Sequence, residues 1–339
     1  MLQDSVRTGT YQTAILSNPH DFKGRAVLDV GTGTGILAFF ACQAGARRVY
    51  GVEASDVADL CERLVAHNGK ADSIKVVKGK VEDVEIPEQV DVLVSEPMGF
   101  LLVHERMLES YIAARDRFLR PGGQMYPSTG TIMVQPFSDD ALYQEQLSKV
   151  AFWDNSNCYG VDMTGLREAA LQHHFAQPIV GYLSPACLLG SVQARHDIDF
   201  RKVSAEELQN ITIPLRFEID RPALMHGMAA WFDVDFLGSQ KHVVLSTGPF
   251  THGTHWYQCR LLLATPLGVN RGQVVVGSMK LTAHEKHSYF IDLEVGIEGT
   301  GIVSRSRLNL QDQLYHYLTT PQAYYPAATS TAAAAAGDA

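Results

Sequence analysis

The run Ala26-Val27-Leu28-Asp29-Val30, followed at once by Gly31-Thr32-Gly33-Thr34-Gly35, narrows the possible folds more than any other stretch of the chain. A short apolar run without helical spacing reads as a buried strand, and alternate glycines after it make a loop whose backbone a ligand can approach closely. Ile36 to Ala44 then reads as a helix stopped by Gly45. The alternation continues. Arg47 to Val52 is a second strand ending at Glu53, and Val57, Ala58, Leu60, Cys61, Leu64 and Val65 share one helical face closed by Asn68-Gly69. Ile74 to Val77 and Val90 to Val94 are further strands, and Met107 to Phe118 is helical before a break at Pro121-Gly122-Gly123. Strands alternating with helices predict an α/β unit with a mostly parallel sheet and right-handed crossovers, spanning residues 1–127.

Beyond Pro127 the pattern changes to period two. Asn210 to Ile219 alternates polar and apolar residues, with strand-like runs at Met228–Phe236, Tyr257–Leu263, Gln273–Val276 and Ser288–Val295. Residues 128–326 therefore read as a β-rich, barrel- or sandwich-like unit. Inside it, about 142–177 is more helical and carries Phe152, Trp153, Tyr159, Leu166 and Phe175, large apolar groups suited either to capping the barrel or to burial against a second subunit. The alanine-rich tail, 327–339, reads as low-complexity and disordered.

No apolar stretch approaches the roughly 20 residues that span a membrane, and no signal peptide opens the chain. The five cysteines are scattered, at 42, 61, 158, 187 and 259, with neither metal-ligand spacing nor a disulfide framework. A reducing compartment fits, nucleus or cytoplasm. A net charge of −9 disfavours direct nucleic-acid binding and favours attraction of basic partners.

The segment Ser95-Glu96-Pro97-Met98-Gly99-Phe100-Leu101-Leu102-Val103-His104-Glu105 carries the chemistry. It leaves a strand at its carboxyl end, where open α/β sheets bind ligands. Two glutamates nine residues apart can face each other across this loop, and two close carboxylates repel unless a cation sits between them. A guanidinium, charged at any working pH and with donors on several edges, suits that place best. The glycines suit a different partner. A dinucleotide fingerprint needs glycine or alanine where this chain has Ile36, so the spacing Gly31, Gly33, Gly35 disfavours a nicotinamide cofactor. With Glu53 placed to accept from both hydroxyls of a ribose, glycines and acid together point to S-adenosylmethionine.

Three motifs together resemble the protein arginine methyltransferases: Val27-Leu28-Asp29-Val30-Gly31 through Leu37, the double-glutamate loop, and Thr254-His255-Trp256. The resemblance runs from Asp4 to about Tyr325. Val6-Arg7-Thr8-Gly9-Thr10-Tyr11, Phe152-Trp153, Gly160-Val161-Asp162, His226-Gly227 and Trp231-Phe232-Asp233-Val234 look most like the coactivator-associated branch. The resemblance implies a Rossmann-like S-adenosylmethionine-binding domain, then a β-barrel domain with an inserted helical arm that makes a homodimer. It implies that Arg7 pairs with the donor's carboxylate, that Gly31 and Gly33 line its amino-acid end, and that Glu53 holds the ribose. Val81, Glu82, Met107 and Ser110 would surround the adenine. Glu96 and Glu105 match the substrate glutamates, Met98 a methionine tied to asymmetric dimethylation, and His255 a loop histidine paired with Asp4. No metal is implied. The implied substrates are arginine-containing proteins such as histones and RNA-binding proteins. The chain departs from the pattern at Thr32 and Thr34, more often Cys and Ser, and at Phe100, often Tyr. Nothing ahead of Asp4 matches a family helix that bears paired aromatics. The rival readings are a small-molecule methyltransferase and a non-catalytic, cofactor-binding dimer partner.

Overall fold

The computed structural model describes residues 2–318; the tail at 327–339, the last residues of the β-rich span and Tyr325 lie outside them. The chain opens with helices α1 (Ser5–Leu16) and α2 (Pro19–Phe22). There follow β1 (Ala26–Val30), α3 (Ile36–Gln43), β2 (Arg48–Glu53), α4 (Val57–His67), β3 (Ile74–Lys78), β4 (Val90–Ser95), α5 (Met107–Phe118) and β5 (Leu119–Tyr126). The five strands form one parallel sheet in the order β3-β2-β1-β4-β5. Every residue of β1 is buried, as its unbroken apolar run requires of a central parallel strand. The strand order reverses between β1 and β4, and the carboxyl ends at such a point are where open α/β sheets place their ligand crevice. Val30 and Ser95 are register partners across it, and the Ser95 hydroxyl donates to the Val30 carbonyl at 2.8 Å. The glycine loop and Glu96 thus leave the sheet side by side.

At the edge of this sheet the structure departs from the sequence reading. Pro121-Gly122-Gly123 does not break the chain but lies within β5, where the pairing with β4 shifts register between Val90 and Val92. An edge strand tolerates such residues because a lost ladder bond there faces no second neighbour.

The second half contains β6 (Thr129–Phe137), α6 (Asp140–Ala151), α7 (Arg167–Phe175), β7 (Ile179–Gly181), β8 (Ala194–Asp199), β9 (Asn210–Glu218), β10 (Ala223–Leu237) and β11 (His242–Ser246). It ends with β12 (Gln258–Val269), β13 (Val274–His284), β14 (Ser288–Ile297), β15 (Val303–Asn309) and β16 (Leu314–Tyr315). One sheet runs β16-β7-β12-β10-β6-β8 with β11 on β10; the other runs β15-β14-β13-β9. β12 lies along β15 and β8 along β9, so the two sheets close on each other around one core. The alternation read in Asn210–Ile219 appears as strictly alternating burial along β9.

Helices α6 and α7 are inserted between β6 and β7 and pack on each other. Their root is held by a separate apolar cluster that includes Phe137, Tyr143, Val150 and Phe175. Farther out, Phe152, Tyr159 and Leu166 stay exposed.

Candidate active site

Glu96 stands one residue past β4, its side chain only 7% exposed. Its Oε2 accepts from Arg7 Nε at 3.2 Å, so a guanidinium already rests against it. Burial pushes the Glu96 carboxyl up to about 7; Arg7 opposes that shift, and the charge of Glu105 adds to it. Arg7 is buried on α1, whose first turn is capped by Asp4 Oδ1 accepting from the Arg7 amide at 2.9 Å.

Glu105 is reached through a chain reversal. Gly99 donates to the Leu102 carbonyl at 3.2 Å, and a Cβ on Gly99 would lie 2.1 Å from the His104 carbonyl oxygen. Only glycine fits there. Leu101, Leu102, Glu105 and Arg106 all have left-handed φ, between 55° and 70°. Such conformations in non-glycine residues collect where a site imposes them. The Glu105 residue is solvent-exposed, yet surrounding protein atoms raise its carboxyl pKa, with the His255 charge acting the other way.

His255 joins the same group. Its Nδ1 pairs with Asp4 Oδ2 at 2.7 Å, and its amide donates to the same oxygen at 2.9 Å. Burial alone would raise the Asp4 pKa, but hydrogen bonds from the His255 side chain and from the Arg7 and His255 amides hold it at about 2. Met98 is buried, its Sδ 3.6 Å from the Tyr11 hydroxyl, and its carbonyl accepts from Trp256 Nε1 at 3.0 Å. The Tyr11 hydroxyl also donates to the Ser95 carbonyl at 2.8 Å.

Across the crevice, Gly31, Gly33 and Gly35 have φ of 70°, 54° and 90°. A Cβ on Gly33 would meet nothing within 4 Å, so the loop is open at Gly33, whereas a Cβ on Gly35 would lie 2.8 Å from Cys61 Sγ. The Gly33 amide donates to Glu53 Oε2 at 3.0 Å, while Glu53 Oε1 accepts from the Ser55 amide and hydroxyl. Beneath the loop Asp29 is fully buried; burial raises its pKa to about 7 against the Thr32 hydroxyl, which donates to Oδ2 at 2.6 Å. Its Oδ1 has no hydrogen-bond partner. The left-handed glycine backbone, open over Gly33 and with the Glu53 carboxylate beside it, leaves room for the close approach of a donor with an amino-acid end. Met107 Cε lies 3.4 Å from the point a Gly31 Cβ would occupy. The Ser110 hydroxyl donates to Glu82 Oε1 at 2.6 Å, and the Val81 carbonyl accepts from Arg117 at 2.7 Å, which ties this turn to α5.

The structure thus brings Asp4, Arg7, Glu96, Met98, Glu105 and His255 to one side of the crevice and Gly31, Gly33 and Glu53 to the other. Tyr11, Ser95, Asp29 and Trp256 were not singled out from sequence as site residues. Tyr11 lies four residues after Arg7, on the same helix face, and Asp29 is a charge inside an apolar strand; both were readable signals.

Residues 27–123 match the model of a methyltransferase domain. Residues 128–300 match that of the arginine methyltransferase oligomerization subdomain, and the chain belongs to the arginine methyltransferase family. It is 49% identical over 333 residues to the rice (Oryza sativa subsp. indica) protein named "Probable histone-arginine methyltransferase CARM1", covering 96% of this chain and 63% of that one. The chain therefore spans less than two thirds of that relative. Among solved structures it is similar to Arabidopsis thaliana protein arginine methyltransferase 10, described in a uniquely open conformation, with a TM-score of 0.84 and 32% identity, over 91% of this chain and 96% of that one. It is also similar to the Trypanosoma brucei PRMT1 enzyme-prozyme heterotetrameric complex with AdoHcy, with a TM-score of 0.83, 32% identity and the same coverage.

Proposed function

We propose that this protein transfers methyl groups from S-adenosyl-L-methionine to arginine guanidinium nitrogens of proteins, among them histones and RNA-binding proteins, giving mono- and asymmetric dimethylarginine. The observation that carries this reading is the glutamate pair, one member of which already holds an internal guanidinium. The name of the rice relative supports the histone substrate, and the bound AdoHcy of the trypanosome complex supports the donor.

When bound, S-adenosyl-L-methionine supplies the carbon: the nitrogen–methyl bond forms as the sulfur–methyl bond breaks, and the bonding pair leaves on sulfur. The chain's residues supply the rest. Gly31 and Gly33 admit the donor's amino-acid end, Glu53 takes the ribose hydroxyls, and Val81, Glu82, Met107 and Ser110 border the adenine. Arg7, with five donors, bridges Glu96 and the donor's carboxylate. Arginine is a poor nucleophile because its lone pairs are delocalised and its pKa exceeds about 12. Glu96 and Glu105 hold the positive charge on one side of the guanidinium, which leaves the far nitrogen richer in electrons. In-line placement of that nitrogen supplies much of the rate. His255, oriented by Asp4, takes up the proton that must leave, and Met98 limits the room around the reacting nitrogen.

The exposed Phe152, Tyr159 and Leu166, all in the connection between α6 and α7, support an arm that seats on a second copy, in a homodimer of nucleus and cytoplasm. Mass spectrometry of an arginine-rich peptide incubated with labelled S-adenosylmethionine tests the reaction. Label on arginine, with a dimethyl product that fragments as the asymmetric form, is the expected result; no transfer overturns it.

A further inference from the structure

Glu105 and Arg106 share a left-handed backbone, φ 70° and 56°, that residues with side chains adopt only where their surroundings impose it. The imposing contacts belong to Arg106. Its Nε and Nη2 pair with the two carboxylate oxygens of Glu109, one turn along α5, at 2.7 and 2.9 Å. Nη1 donates to the His284 carbonyl at the end of β13 at 3.0 Å, and Nη2 also donates to Gln209 Oε1, just before β9, at 3.1 Å. Gln209 Nε2 in turn donates to Glu109 Oε1 at 3.0 Å, which closes the ring. On the other side of Glu105, His104 Nδ1 lies 2.9 Å from the Ser288 hydroxyl on β14. Glu96 is held from within the first domain, by Arg7 on α1. The turn bearing Glu105 is pinned instead to the β-rich half.

We propose that Arg106 is a positioning residue: it clamps the turn to β9 and β13 and thereby sets how far Glu105 stands from Glu96. This inference rests on the reading of the two glutamates as the guanidinium site. A planar fork reaches four acceptors at once, which a lysine ammonium on a flexible stem cannot reproduce.

The test compares wild type with Arg106→Gly and Arg106→Lys. Glycine accepts this φ without strain, so the first variant removes the clamp and leaves the backbone conformation accessible. Arg106→Gly is expected to lose at least about tenfold in kcat on an arginine peptide, with the S-adenosylmethionine dissociation constant within about twofold of wild type. Arg106→Lys recovers part of the loss. On a Glu105→Asp background, Arg106→Gly costs less than it does alone, because both changes act through one carboxylate. Amide hydrogen exchange across 99–106 quickens in Arg106→Gly, while β4 and α1 exchange as before. Should that variant not fold, Gln209→Ala, which removes one acceptor from outside the loop, shows the same changes at smaller size. Unchanged exchange across 99–106, or losses that multiply in the double variant, overturns the proposal. Exchange reads the clamp without turnover, so a wild-type protein inert toward arginine peptides defeats the proposed reaction while the clamp is still decided by exchange.

Discussion

Glu96 comes directly off a buried parallel strand and has a guanidinium bonded to it within the protein. Glu105 sits on a left-handed turn open to solvent and feels the charge of His255 instead. The same functional group is thus used in two environments. A carboxylate with few waters around it interacts strongly with a nearby cation but is costly to ionise. One on an open turn is cheaper to ionise and weaker in its pull. In the proposed reaction, depth would supply charge stabilisation and the turn would supply placement. The two substitutions to glutamine should therefore differ in size.

Glu96→Gln is expected to lower kcat for arginine methylation by about 10²–10³-fold, the cost of removing one preorganised charge-stabilising group from a water-poor site. Binding of S-adenosylmethionine should survive. Glu105→Gln should cost roughly tenfold less than Glu96→Gln, since its site is better solvated. Steady-state rates on one arginine peptide decide this. Equal losses would mean that depth makes no difference, and retained methylation in Glu96→Gln would remove that residue from the mechanism.

The same contrast has a pH signature. Glu96 has its pKa raised to about 7, so in the free protein it is protonated below that value and charged above it. Only the carboxylate can hold a guanidinium's charge. The value of kcat/KM should therefore climb about tenfold per pH unit on approaching 7 from below and then level off. A bound guanidinium favours the ionised form, so the break in kcat should fall at lower pH than the break in kcat/KM. Coincident breaks would argue that no cation reaches Glu96 in the complex.

How much of this was readable in advance depended on burial. The α/β half has strands hidden on both faces, and runs such as Val90–Val94 announce themselves as continuous apolar stretches. β15, with Ser304, Arg305, Ser306 and Arg307 in its middle, keeps one face toward water and gave too little apolar signal to be read as a strand. Pro121-Gly122-Gly123 looked like a break because local rules cannot tell an edge strand from a loop. Both glutamates were legible from the loop that carries them. The Arg7–Glu96 bond was not, because it joins residues 89 positions apart and only the packing of α1 over the crevice creates it.

Asp4 allows a smaller test of how the exposed side is supported. Its pKa, about 2 against an ordinary 3.8, is lowered on folding, so the stability it contributes is present above pH 3.8 and lost as pH falls through 2. At neutral pH that contribution is on the order of 2 kcal/mol. Asp4→Asn keeps an oxygen for the Arg7 amide but removes the charge facing His255. Expected are a fall in melting temperature of several degrees, which shrinks below pH 3 in the difference from wild type, and a loss of roughly tenfold in kcat. A loss of stability with kcat intact would reduce Asp4 to a helix cap.

Met98 lies between the two environments, and its substitution should have the smallest effect on rate. Its sulfur is near the Tyr11 hydroxyl of the first domain, and its carbonyl is held by Trp256 of the second. An unbranched, flexible side chain fills such a seam with little strain. Phenylalanine has comparable hydrophobicity but a rigid ring; overpacking there should cost about 1–3 kcal/mol of stability. If Met98 borders the reacting nitrogen, the ring changes how an already methylated arginine can sit, and the ratio of mono- to asymmetric dimethylarginine shifts while total transfer falls only a few-fold. If Met98 serves packing alone, stability falls and the ratio stays as in wild type. Product analysis by mass spectrometry, read beside the melting temperature, separates these outcomes, because strain in the seam moves the second quantity and only contact with the guanidinium moves the first.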